Sequence, residues 1–92
     1  MITTLHDSDH GVWTVGTASS VYTVDLDERT ILRQPVAADA SLLREDAVAI
    51  PLVGIARCEV GLGAVFVISG VTDDGLETTR TTTGVISIEV AP

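Results

Sequence analysis

The densest run of metal-ligand side chains is His6, Asp7, Asp9 and His10, two imidazoles and two carboxylates that together suit zinc, nickel or manganese. The histidines stand four apart, a spacing that aligns side chains on one side of a helix. Gly11 follows and no apolar period runs through the segment, so a polar lead-in is expected and no metal site is assigned. Cys58 is the chain's one thiol. A thiol becomes a nucleophile only beside a base and an orienting group. Strand alternation sets Cys58 with Gly54, Ala56 and Val60 on an apolar face, where a buried, inert side chain is expected. Ser19, Ser20 and Ser69 lack the glycine-flanked strand-to-helix turn that exposes a catalytic serine. Gly61-Leu62-Gly63 has the opening of a phosphate-binding loop, but Phe66 stands at the position of the third glycine and no helix follows to aim its N-terminus at phosphate. A hairpin turn is expected there. Without a catalytic constellation the chain is read as non-enzymatic and free of cofactors.

All five cations are arginines, with no lysine. A guanidinium fork matches phosphate and carboxylate in two-pronged geometry, so Arg33, Arg44, Arg57 and Arg80 are the candidates for holding an anionic metabolite or nucleotide. Thirteen acids outweigh them and leave a net charge of −8. Nucleic-acid backbones are bound through clustered cations, so no nucleic-acid partner is expected, and no membrane partner either, because no basic amphipathic stretch is present. The acids gather at Asp25/Asp27/Glu28, Glu45/Asp46 and Asp73/Asp74/Glu77, beside expected turns. There they keep a β-rich surface soluble and guard strand edges; the alternative is imitation of nucleic-acid phosphates against a basic groove of a partner protein. The tract Thr78-Thr79-Arg80-Thr81-Thr82-Thr83 presents hydroxyls as the wet face of a strand commonly does. Trp13 and Tyr22, with Phe66 the only aromatics, are expected in the core, and either becomes a hot spot for a protein partner if exposed.

Positioning these residues falls to strands. A chain of 92 residues supplies one core and leaves no room for a second, so residues 1–92 are read as a single β domain. Val, Ile and Thr far outnumber Leu and Met, which favours pleated strands over helices. Alternation gives strands at 12–17 and 20–26 joined by Ala18 and Ser19, then at 30–34, where Pro35 ends pairing for want of an N–H. Residues 36–50 fit a short hairpin, an irregular loop, or one or two helical turns after Asp39. A strand at 52–60 precedes one at 64–71 that is apolar on both faces, with Val65, Val67 and Val71 on one side and Phe66 and Ile68 on the other. Asp73-Asp74-Gly75 turns the chain into 76–83, and 85–90 directs Ile86, Ile88 and Val90 inward. Six to seven short strands of this kind form a small antiparallel barrel or sandwich.

Trp13-Thr14-Val15, Ser20-Val21-Tyr22-Thr23-Val24-Asp25-Leu26-Asp27, Arg57-Cys58-Glu59-Val60-Gly61 and Thr81-Thr82-Thr83-Gly84-Val85-Ile86-Ser87-Ile88 resemble the strand and turn phrases of small β-rich proteins from actinobacteria and their phages. The absence of Lys and Asn, with Ala, Gly, Val, Asp and Arg plentiful, fits a high-GC genome of that kind. The resemblance spans most of the chain and transfers no activity.

The leading expectation is a protein-interaction module, such as a phage or prophage accessory protein that engages a host factor or assembles with itself. Apolar residues make up 46 % of the chain, and one small barrel covers a single face of residues 64–71. The second face is therefore expected to meet another subunit through Val65, Val67 and Val71. The runner-up is a barrel whose mouth or subunit seam holds a small anion on its arginines. A cytoplasmic location is expected, since no apolar run reaches membrane-spanning length, no leader pattern opens the chain, and one cysteine precludes an internal disulfide.

Overall fold

The structure is a computed structural model and describes residues 2–35, 49–69 and 77–91. Six strands follow one another: β1 (Val12–Thr17), β2 (Ser20–Asp25), β3 (Thr30–Pro35), β4 (Ile50–Arg57), β5 (Gly63–Ile68) and β6 (Thr78–Val90). Each pairs antiparallel with the next, and β6 returns to β1, so the all-β sheet closes into a small barrel. Closing the ladder removes the unpaired edges that a six-stranded open sheet presents to other chains.

Local chemistry sets the turns. After β2, Asp25 Oδ1 accepts the N–H groups of Asp27 and Glu28 at 3.0 and 2.8 Å, an aspartate turn that reverses the chain toward β3. Asp27 in turn accepts the Gly11 N–H at 3.2 Å and ties this turn to the entry of β1. Between Val60 and β5, Gly61 takes φ 97°, a conformation a side chain would strain, and Leu62 N–H donates to Glu59 O at 3.1 Å.

Inward positions alternate along each strand and fill the barrel: Val15 on β1, Tyr22 and Val24 on β2, Ile31 on β3, Ile50 and Leu52 on β4, Ala64, Phe66 and Ile68 on β5, and Val85 and Ile88 on β6. Burying a side chain as large as Phe66 or Ile68 contributes roughly 1.5–3 kcal/mol. The N-terminal segment completes this core. Ile2 N–H donates to Ile88 O, Val60 N–H to Thr3 O and Leu5 N–H to Cys58 O, and these bonds seat the Leu5 side chain, 1 % exposed, beside the buried Cys58.

The strands depart from simple alternation in two places. Residues 76–83 and 85–90, expected as two strands, belong to the single strand β6, which passes through Gly84 and pairs with β5 in its first half and β1 in its second. A register shift opposite Gly16 and Thr17 places Val85 inside and leaves Ile86 62 % exposed, the reverse of the expected inward Ile86; Val90, at the strand's end, is exposed too. Along β4, shifts at Leu52/Gly54 and Ile55/Arg57 each insert one extra residue. Leu52 and Ile55 therefore both reach the core while Ala56 is exposed, so the expected face of Gly54, Ala56, Cys58 and Val60 does not form. Pro35 is the last residue of β3, as its missing N–H requires, and still pairs with Ser20. The expected turn at 73–75 and most of residues 36–50 lie outside the described residues.

Among the described residues one ladder is short: β3 and β4 share the pairs Thr30↔Pro51 and Ile31↔Ile50. Beyond them the edge of β4 is completed by side chains. Asp7 Oδ1 accepts the Ile55 N–H at 3.2 Å, and Arg29 donates to Val53 O at 3.1 Å and to Asp7 Oδ1 at 2.8 Å.

Candidate functional site

Two features outside ordinary core packing stand out, one inside the barrel and one on its outer wall. Inside, Tyr22 and Phe66 meet across the barrel with ring centroids 5.7 Å apart and planes tilted by 41°. Each ring has an arginine as its cross-strand neighbour: Arg33 opposite Tyr22 on β3, and Arg80 opposite Phe66 on β6. Directly paired residues project to the same face of a sheet, so both arginines belong to the interior face. Arg33 is 8 % exposed and has an interaction partner, whereas Arg80 is half-buried and makes no hydrogen bond or ion pair with any described residue. Ser20 and Thr17 extend this polar end. Thr17 Oγ1 donates to Ser20 O and accepts the Ser20 N–H, both at 3.1 Å, while Ser20 Oγ is buried with no partner among the described residues.

On the outer wall, β5 presents Val65 and Val67, both half-buried. The register sets Val67 between Gly54 and Thr79, and Val65 between Arg57 and Thr81. Val53 is 39 % exposed on β4, and Thr79 and Thr81 are exposed on β6, so a β-branched surface runs across three strands. Arg57, exposed beside it, donates through Nε to Gly63 O at 3.0 Å, and Arg29 reaches Val53 O at 3.1 Å from the other side.

The residues singled out in the sequence thus separate. Arg33 and Arg80 come together around the Tyr22–Phe66 contact, while Arg57 lies on the outer wall with Val65 and Val67. Trp13 is half-buried against the core, pairs with Val90, and donates from Nε1 to His10 O at 2.8 Å. Tyr22 is buried, which leaves it no free surface for a protein contact. Arg44 and Val71 lie outside the described residues.

The polar N-terminal residues have structural partners. Asp9 Oδ2 accepts the His6 N–H at 2.8 Å, and Asp7 belongs to the Arg29 pair. The Arg29 hydrogen bond, aided by the Ile55 N–H and opposed by partial burial, holds the Asp7 carboxyl below its ordinary value of 3.8. No three His, Cys, Asp or Glu side chains gather in ligand geometry among the described residues. A cleft of about 220 Å³ opens between residues 4–7 and 55–59, with Leu5 and Cys58 at its floor and His6, Arg57 and Glu59 at its margin. Burial pushes the Cys58 thiol up to about 11, so at neutral pH it is not a thiolate.

Leu5 and Ser20 are the residues that pattern reading missed. Leu5 sits in an irregular segment with no period to mark it, and Ser20 opens the expected strand at 20–26, where a serine gives no sign that its hydroxyl is buried. Comparison of the chain with protein-family models, with curated proteins and with solved structures yields no match.

Proposed function

We propose that this barrel is a non-enzymatic protein-interaction module that pairs with a second copy of itself through the outer wall of β4, β5 and β6. The observation that carries the reading is the outward row of Val65 and Val67, set beside exposed Val53, Thr79 and Thr81 on a surface without an acidic side chain among these positions. In a chain of net charge −8, this row holds no acid of its own, and the Asp7 carboxylate that borders it at Gly54 is paired with Arg29, so two copies meet there against reduced repulsion. A specific dimer buries about 1,600 Å² in total, which three strands and their flanks can supply.

Light scattering or sedimentation across a wide concentration range tests this. The parent is expected to dimerise, and more tightly as salt screens the residual repulsion. Val67→Asp should give a monomer. Thr81 is the cross-strand partner of Val65 and so belongs to the same face; the control is Thr23→Asp, on the outer side of β2, which should leave the dimer intact. A strict monomer at every concentration, with Val67→Asp indistinguishable from the parent, overturns the reading.

A further inference from the structure

We propose that the cleft between residues 4–7 and 55–59 binds a free zwitterionic amino acid with a short aliphatic side chain, its carboxylate on Arg57 and its ammonium on Glu59. The cleft opens where two paired segments part. Leu5 N–H donates to Cys58 O at 2.9 Å, and the Ile55 N–H is taken by the Asp7 side chain at 3.2 Å. Between these two bonds the His6 N–H turns back to Asp9 Oδ2 at 2.8 Å and does not cross to Ala56 or Arg57, while Arg29 fixes Asp7 at 2.8 Å. Bonded side chains therefore hold the gap open before any ligand arrives. Its volume of about 220 Å³ equals that of roughly seven water molecules, room for a small amino acid and too little for a nucleotide.

Charge and polarity set the class of ligand. Arg57 and Glu59 flank the buried Cys58, so strand alternation sends both to the same outer side, their Cα atoms roughly 7 Å apart. They do not pair with each other. The Nε bond to Gly63 O draws Arg57 toward the start of β5 and leaves both terminal guanidinium nitrogens free to fork a carboxylate. The Glu59 carboxylate has no hydrogen-bond or ion-pair partner among the described residues. Asp7, the cleft's other acid, is committed to Arg29, so one positive and one negative formal charge remain. A chain of net charge −8 repels a simple anion and Arg57 repels a simple cation, whereas a zwitterion meets both groups at once. Exposed Ala56 and half-buried Ile55 line the same cleft and give the aliphatic side chain its contact.

L-valine is the probe. In amide-resolved NMR it should shift the Arg57, Cys58 and Glu59 signals saturably. N-acetyl-valine lacks the ammonium and valinamide lacks the carboxylate, so each should bind about tenfold more weakly, as expected for loss of a charge-assisted hydrogen bond. Arg57→Gln should raise the dissociation constant for valine by about tenfold on the same ground. Arg57→Lys keeps the charge without the fork and should fall between the two, which preserves the test if loss of the Gly63 bond unfolds Arg57→Gln. Glu59→Gln should raise the constant about threefold, the scale of an exposed ion pair. Glu77→Gln, an exposed acid just before β6, should bind as the parent does. The proposal is overturned by shifts that do not saturate, by N-acetyl-valine or valinamide binding as tightly as valine, by an unchanged constant in Arg57→Lys and Glu59→Gln, or by equal weakening in Glu77→Gln.

Discussion

Asp7 and Arg29 form an ion pair that does the work of a strand. Their side chains are 50 % and 37 % exposed, so solvent screens the attraction and the pair contributes at most about 1 kcal/mol. Asp7→Asn should lower stability by that amount at neutral pH. Because the folded carboxyl titrates below its ordinary value, the contribution is present above about pH 4 and is lost as pH falls through the folded value. Melting temperatures of parent and Asp7→Asn should therefore converge in acid, and a gap that stays constant with pH would show that the charge is not involved. Cys58 makes the opposite case. Its thiol is 1 % exposed and pushed up to about 11 by burial, so a thiol reagent at pH 8 should label it only on unfolding. Cys58→Ser places a hydroxyl in that apolar site and should cost about 1–3 kcal/mol in denaturant unfolding.

Among the elements, β5 and β6 meet most tightly at Gly63. A Cβ there would lie 2.5 Å from Thr82 O, a backbone atom that cannot turn aside, whereas a Cβ at Gly16 would lie 2.8 Å from Ser87 Oγ, which can rotate. Gly63→Ala should lose about 1–3 kcal/mol and Gly16→Ala much less, compared by urea midpoints. Much of this layer was legible from residue types. Alternation located the hairpin of β1 and β2, the third strand and the two-faced character of β5, because each keeps a strict period of two. Where a register shift adds one residue, the period breaks and the wrong side chains turn inward, as Ile86 and Ala56 show. The same limit hides the interior arginines. Five arginines can be counted in the sequence, but which of them enter the barrel follows from cross-strand register, which no local pattern records. Gly84 reads as a strand terminator, yet it lies within β6 where that strand leaves one partner and joins the next.

For the molecule as a whole, closure depends on joining the first strand to the last. The β1–β6 ladder pairs Trp13 with Val90 and Val15 with Ile88, contacts of long sequence separation whose loop-closure entropy must be met before they stabilise anything. Folding should consequently be slow for this size, in the millisecond-to-second range by stopped-flow fluorescence of Trp13. Local stability should be uneven as well. Hydrogen exchange is expected to be fastest at the two-pair junction of β3 with β4 and slowest in β1 and β2, the reverse order arguing against the short ladder as the weak point. That junction also has a bearing on solubility. By offering a carboxylate to Ile55 N–H and a guanidinium to Val53 O, Asp7 and Arg29 occupy the donor and acceptor through which an extended chain would add to β4. Without them the barrel wall would become a template for polymerisation. The pair thus acts as a gatekeeper against fibrils, a role measured by how long the protein stays dispersed and not by how stably it folds.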